Sequence, residues 1–199
     1  KNQLISNKIK NLSSVIYTHE HADQTSGLFE LRPFFLKHKK KINIYGNLRT
    51  INYLKERFDY CFKSFYGYPA IVKANIIKKI FSLGQHKEKI NFTTIQLTHG
   101  NTKTTAYIFE NTAYISDCND LSIVNMKIFQ NLKHLVIDCV RIKKSIVHFN
   151  LDEALYVHSC LKPKKTILTN LSSYLDYDFL LKKLPKNVLP AYDGLKLNL

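Results

Sequence analysis

Two imidazoles and a carboxylate fall within five residues, at His19, His21 and Asp23 of the stretch T-H-E-H-A-D-Q, residues 18–24. Histidine nitrogens and a carboxylate are the donors that a borderline divalent cation such as zinc takes. They follow Val15-Ile16-Tyr17, an apolar run that reads as a short buried strand, so residues 18–23 read as the loop leaving its C-terminal end. In an extended loop, residues two apart lie on one side, which lets His19, His21 and Asp23 converge on one point. Open α/β folds place their sites beyond the C-terminal ends of strands. A lone histidine beside a strand is usually a satisfied polar group; this spacing predicts a metal site.

Two more strands end at ligand types. Residues 90–97 alternate apolar and polar until they reach Thr98-His99-Gly100, and residues 105–109 and 112–116 flank Glu110-Asn111 as a two-residue hairpin whose second arm ends at Asp117-Cys118. Further elements must hold these ends in place. A helix is expected over residues 1–13, and a short helix over 28–32 that Pro33 interrupts. Strand 42–45 ends at Gly46, with Asn47 the N-cap of a helix through Phe58. Residues 71–81 read as one strand, 121–132 as an amphipathic helix and 134–139 as a buried strand. Asn150 caps a helix through Leu161, and residues 166–169 form a strand ending at Asn170. Helix 176–184 precedes the closing segment 188–199. This alternation predicts one α/β domain over residues 1–199.

The length of 199 residues allows a sizeable core, and the 45% hydrophobic content supplies one. No apolar run approaches the roughly 20 residues of a membrane-spanning helix, so no membrane partner is expected. Cys61, Cys118, Cys139 and Cys160 lack any C-x-x-C spacing and read as reduced thiols of a cytoplasmic protein. The chain begins at Lys1, without methionine, and reads as a cut within a longer one. The net charge of +15 is nearly all lysine, with Arg32, Arg49, Arg57 and Arg141 the only arginines among thirty basic residues. Nucleic-acid readers use arginine for bidentate contacts, so nucleic acid is not favoured as a partner and the charge reads as general basicity, a field that an anionic phosphate substrate would still feel. A homodimer is compatible with the composition.

The stretch T-H-E-H-A-D-Q is one residue away from T-H-x-H-x-D-H and resembles the signature of the metallo-β-lactamase superfamily. The segments L-T-H-G, Y-I-S-D-C, H-F-N-L-D-E-A-L, T-N-L-S-S and P-A-Y-D-G follow in family order. Together they are similar to the branch of metal-dependent hydrolases that includes phosphoribosyl 1,2-cyclic phosphate phosphodiesterase. The resemblance implies an α/β fold, the αβ/βα four-layer sandwich with two metals at the edge between its sheets, here lacking the family's N-terminal strands. It implies that His19, His21 and His99 hold the first metal and that Asp117 bridges both. Asp23 matches a ligand of the second metal, whereas Gln24 and Asn170 stand where the family has histidines, and Ser173 replaces another. An amide oxygen is a weak, hard ligand beside imidazole, so one ion, Zn2+ or Mn2+, is expected to be firmly bound. Asp193 is expected to anchor the ligands from behind, and Glu20 to face solvent or do the same.

The activity implied is attack by a metal-activated water on the phosphorus of a phosphodiester, with a cyclic phosphate or a nucleotide-like molecule as substrate. Asp23 and His148 are the expected catalytic residues. His148 would transfer a proton or hold the phosphate; a structural histidine before the next helix cap fits it as well. Loss of second-site ligands predicts impaired hydrolysis. The alternative is an inactive scaffold of the same fold, and an RNA-processing nuclease is a weaker one that leans on charge.

Overall fold

Strand and helix alternate through the first of two units into which the chain divides, Lys1–Gly84 and Gln85–Leu199, in a computed structural model that describes residues 1–199. In the first unit β1 (Ser14–Ile16), β2 (Ile42–Gly46) and β3 (Val72–Ile76) form a parallel sheet in that order, with Val15 opposite Ile44 and Ile44 opposite Ala74. Parallel neighbours require crossovers, which helices usually provide. The crossover from β1 to β2 carries α2 (Ala22–Thr25), a 3-10 turn (Ser26–Leu31) and α3 (Arg32–His38). The next carries α4 (Leu48–Arg57) and α5 (Asp59–Phe62). The Asn47 side chain caps α4 by accepting from the Thr50 amide at 2.8 Å. Ile42, Ile44, Ile51 and Leu54 pack into this unit's core, all nearly or fully buried. The short α1 (Asn2–Ser6) precedes the sheet and β4 (Ile80–Leu83) follows it.

In the second unit β5 (Ile90–His99), β6 (Thr102–Phe109) and β7 (Thr112–Ile115) are antiparallel neighbours. Strands β8 (His134–Asp138), β9 (Lys165–Thr169) and β10 (Val188–Pro190) then continue from β7 in parallel. Six strands of this unit thus line up in the order β10-β9-β8-β7-β6-β5, with only β6 running opposite to the rest. One edge therefore collects the C-terminal ends of β5, β7, β8 and β9. Glu110 and Asn111 turn the β6–β7 hairpin with φ of 44° and 54°, the left-handed pair that matches strand twist. Helices α6 (Leu151–Leu161) and α7 (Tyr177–Lys183) flank the sheet. A reciprocal cap starts α6: Asn150 accepts from the Glu153 amide at 2.8 Å while Glu153 accepts from the Asn150 amide at 3.1 Å. Leu97, Ile115, Leu135, Ile137, Phe149 and Val157 fill this unit's core.

Four expected elements change. The helix expected over residues 1–13 shrinks to Asn2–Ser6, which buries no residue and so gains nothing from packing, and Lys8 turns left-handed at φ 52°. Pro33 starts α3 where it was expected to interrupt a helix, because an N-terminal helical position needs no amide proton. The strand expected over 71–81 is two strands, β3 and β4, broken where the Ile77 amide turns to the Gly46 carbonyl. The helix expected over 121–132 is two 3-10 turns, Leu121–Asn125 and Lys127–Phe129. Asp120 captures the Ser122 amide, and Met126 is extended between them. Ile123 and Phe129 are still fully buried, so the apolar spacing served packing without a continuous helix.

Cys61, Cys118 and Cys139 are buried, and burial pushes their thiols up to about 11, 12 and 12, while Cys160 is exposed. Thiolate is the reactive form. Iodoacetamide at mildly alkaline pH is therefore expected to label Cys160 alone in the native protein, read by peptide mass mapping. Comparable labelling of any of the other three would contradict this packing. No helix is long and apolar enough to cross a membrane.

Candidate metal centre

In the first unit the motif leaves β1 and enters α2. His19 is fully buried, with Nδ1 3.1 Å from the Thr18 hydroxyl, and its ring meets the His21 ring edge-on at 4.6 Å between centroids. His21 is the N-cap residue of α2, so the extended spacing that brings His19 and His21 together ends there. Asp23 lies in the first turn of the helix, not in the extended loop that was expected. A carboxylate is favoured there by the helix dipole. Its Oδ2 accepts from the Gln24 side-chain amide at 3.0 Å.

Glu20 does not face solvent. It is buried, pairs with Arg49 Nε at 2.7 Å and accepts from the Thr50 hydroxyl at 3.5 Å. That contact ties the motif loop to the first turn of α4. The Arg49 side chain is 67% exposed, so the pair adds little stability and serves chiefly to hold the loop's direction.

In the second unit four strand ends meet at one edge of the sheet. His99 ends β5, Asp117 follows β7, Asp138 ends β8 and Asn170 follows β9. His99 Nδ1 lies 2.7 Å from the Val147 carbonyl, which requires a proton on Nδ1 and makes Nε2 the ring nitrogen that would serve as a metal ligand. This close approach depends on Gly100. A Cβ there would stand 2.5 Å from Val147 Cγ1, and φ is +54°. Asn119 joins the same two segments, accepting from the Gly100 amide at 3.1 Å and donating to the Ile146 carbonyl at 2.8 Å.

Asp117 is buried with a left-handed φ of 51°, an uncommon conformation for a residue other than glycine. Its Oδ1 accepts from Asn170 Nδ2 at 2.5 Å and from the Ser116 hydroxyl at 3.4 Å. His148 Nδ1 is 3.0 Å from Asp138 Oδ2 and 3.9 Å from Asp117 Oδ1, and its ring centroid is 4.9 Å from that of His99. Asp138 also accepts from the Cys118 amide at 3.2 Å, while its Oδ1 is buried without a hydrogen-bond partner. Burial raises the Asp138 carboxyl above its ordinary range, against the lowering effect of the His148 contact. Asp117, Asp138 and His148 each offer a ligand atom within 4.8 Å of the others. A correctly tautomerised imidazole, a buried carboxylate pair and an oxygen lacking a partner fit a divalent cation.

Asp138 was not legible as a site residue: in H-L-V-I-D-C it reads as the tail of a buried strand. Its burial at the end of β8, with His148 brought back over it by the loop before α6, makes it the group that orients His148. Ser173 and Asp193 are both exposed, in the turn after β9 and the segment after β10.

A family model described as a beta-lactamase superfamily domain matches residues 2–169. Among solved structures, the chain is similar to a new diphosphatase from the PhnP family, with a TM-score of 0.84 and 28% identity over 98% of this chain and 74% of that one. It is similar to the metallo-beta-lactamase fold protein YhfI from Bacillus subtilis, with a TM-score of 0.71 and 19% identity over 92% of this chain and 76% of that one. For the short form of human tRNase Z the TM-score is 0.66, with 14% identity over 98% of this chain and 82% of that one. A curated relative, an octanoyltransferase of Porphyromonas gingivalis, is 21% identical over 190 residues. That match takes in 94% of this chain, which spans only 38% of the relative's length.

Proposed function

We propose that this chain, which belongs to the beta-lactamase superfamily, is a metal-dependent hydrolase of phosphodiester or diphosphate bonds in a small phosphorylated substrate, slowed by loss of its second metal site. The observation that carries the reading is the cluster of Asp117, Asp138 and His148 at adjacent strand ends, beside His99, whose Nδ1 faces the Val147 carbonyl at 2.7 Å. The superfamily match runs through both units, from residue 2 to the end of β9 at residue 169. It supports treating His19, His21, His99 and Asp117 as ligands of one ion, zinc or manganese. The diphosphatase similarity supports phosphorus chemistry.

When bound, such an ion lowers the pKa of a coordinated water and neutralises charge on the phosphoryl oxygens. The chain's own groups do the rest. Val147 orients His99, and Asp138 orients His148 with its Nδ1 proton inward, so that Nε2 can pass a proton to a leaving oxygen or bind the phosphate. Asp23 is the remaining carboxylate for a second ion.

The amides at the two substituted positions support the impairment. Gln24 and Asn170 both turn their nitrogens to the carboxylates a second ion would need, Asp23 at 3.0 Å and Asp117 at 2.5 Å. A donor N–H satisfies a carboxylate oxygen without attracting a cation. The same contacts favour, as second reading, a scaffold that has ceased to hydrolyse.

Hydrolysis of bis(p-nitrophenyl) phosphate separates the two. The expected result is slow turnover, several-fold faster with manganese than with zinc alone, because a weak oxygen-rich second site discriminates against zinc. Absence of turnover with either ion would leave the scaffold reading. Fast turnover with zinc alone would contradict the impairment.

A further inference from the structure

A cavity of about 800 Å³ in the first unit lies beside the histidine motif, with His21, Arg49, Asn52 and Tyr53 among its lining. Its volume is that of a small-molecule site. One wall is α4, on which Arg49, Asn52 and Tyr53 fall three and four residues apart and so share a face. Arg49 stands in the first turn of that helix, where the dipole disfavours a cation, and its guanidinium is largely exposed. Neither helix stability nor burial accounts for a cation there. Its polar contact is made through Nε, 2.7 Å from Glu20 Oε1, while the other Glu20 oxygen accepts from the Thr50 hydroxyl. Glu20 is buried, so it fixes the direction of the guanidinium and leaves the Nη N–H bonds without a protein acceptor. A lysine could pair with Glu20 or meet an outside anion; the planar guanidinium fork does both at once. Lysine serves this chain almost everywhere else, since only four of its thirty basic residues are arginine.

We propose that Arg49 is a substrate-binding residue of the hydrolase, holding phosphoryl oxygens through its Nη groups in the cavity that His21 lines, and that Glu20 is the residue that positions it. The inference deepens the hydrolase reading and rests on it for the identity of the anion. A guanidinium fixed at this wall offers two N–H bonds to two oxygens of one phosphoryl group, and those bonds strengthen as charge builds on the oxygens during attack. The pair with Glu20 then has a use that its small contribution to stability does not give it.

Proton–nitrogen correlation spectra of the zinc-loaded protein test this directly, because four arginines give four Nε–H signals, that of Arg49 being the one lost in Arg49→Lys. The probe is diphenyl phosphate, the assay substrate without its nitro groups. It is expected to shift the Arg49 signal to saturation, while those of Arg32 and Arg57 move no more than they do in sodium chloride of equal ionic strength. Glu20→Gln should displace the Arg49 signal before any probe is added and weaken its response several-fold. In turnover of bis(p-nitrophenyl) phosphate, Arg49→Gln should lower kcat/KM by roughly tenfold or more, the worth of a charge-assisted contact. Arg49→Lys should recover only part of that loss and leave the urea midpoint unchanged. Had Arg49 merely held the loop, lysine would replace it in full by pairing with Glu20. An Arg49 signal unmoved by diphenyl phosphate, an equal shift of all four signals, or full kcat/KM in Arg49→Lys would overturn the proposal and leave hydrolysis standing. Absence of turnover beside a saturating Arg49 shift would instead remove hydrolysis and leave the anion site in place.

Discussion

Gln24→His combined with Asn170→His is expected to raise phosphodiester turnover by roughly 100-fold over the present sequence. Each exchange removes an amide nitrogen that now donates to Asp23 or Asp117 and supplies an imidazole in its place. The backbone is ready for both. Residue 24 lies in the short α2 directly after Asp23, and residue 170 follows β9 at the edge where Asp117 is held. Asn170 has a left-handed φ of 58°, which histidine tolerates better than most residues. The double variant should exceed the product of the single effects, because two ligands of one ion act as a unit. Calorimetric metal titration alongside the turnover assay checks the cause. A second ion bound with no gain in turnover would place the loss of activity elsewhere and favour the scaffold reading.

Phe149→Ala is expected to destabilise the protein by about 3–5 kcal/mol. Phe149 is fully buried and among the largest such side chains, packed in the core of the second unit. Its backbone also works on both sides of the site. The Phe149 amide donates to the Cys118 carbonyl at 2.7 Å, and its carbonyl accepts from the Val140 amide at 3.2 Å. Those bonds hold the loop carrying His148 against the one carrying Asp117. Urea unfolding should show the loss, and turnover should fall even where the variant remains folded. A change under about 1 kcal/mol would mean that the surroundings collapse into the space.

Strand ends were the legible part of this molecule. Residues 90–97 alternate between apolar and polar, apart from Thr93-Thr94, on the way to His99, residues 135–137 are apolar up to a carboxylate, and Asn47 and Asn150 announce α4 and α6 through capping chemistry. Those signals are local, so they survive in the chain order. The 121–132 segment misled because Asp120 captures a backbone amide and keeps the chain in separate 3-10 turns, while the buried residues keep a helix-like spacing. Asp23 misled because the extended geometry inferred from His19 and His21 stops where α2 begins. Glu20 stayed open between solvent and a supporting place, and Asp138 was missed, because their partners, Arg49 and His148, are distant in sequence or returned by a loop. A carboxylate ending a buried strand, ten residues before a histidine, is the one signal that could have suggested Asp138.

The count of tightly bound metal ions tests the central claim most directly, because it asks whether replacing two imidazoles by amides has closed one of two sites. Elemental analysis of the purified protein, with anomalous scattering to locate the ions, is expected to give one divalent ion per chain, at His19, His21, His99 and Asp117. Two stoichiometric zinc ions per chain, the second on Asp23 and Asp117 with Gln24 and Asn170, would contradict it.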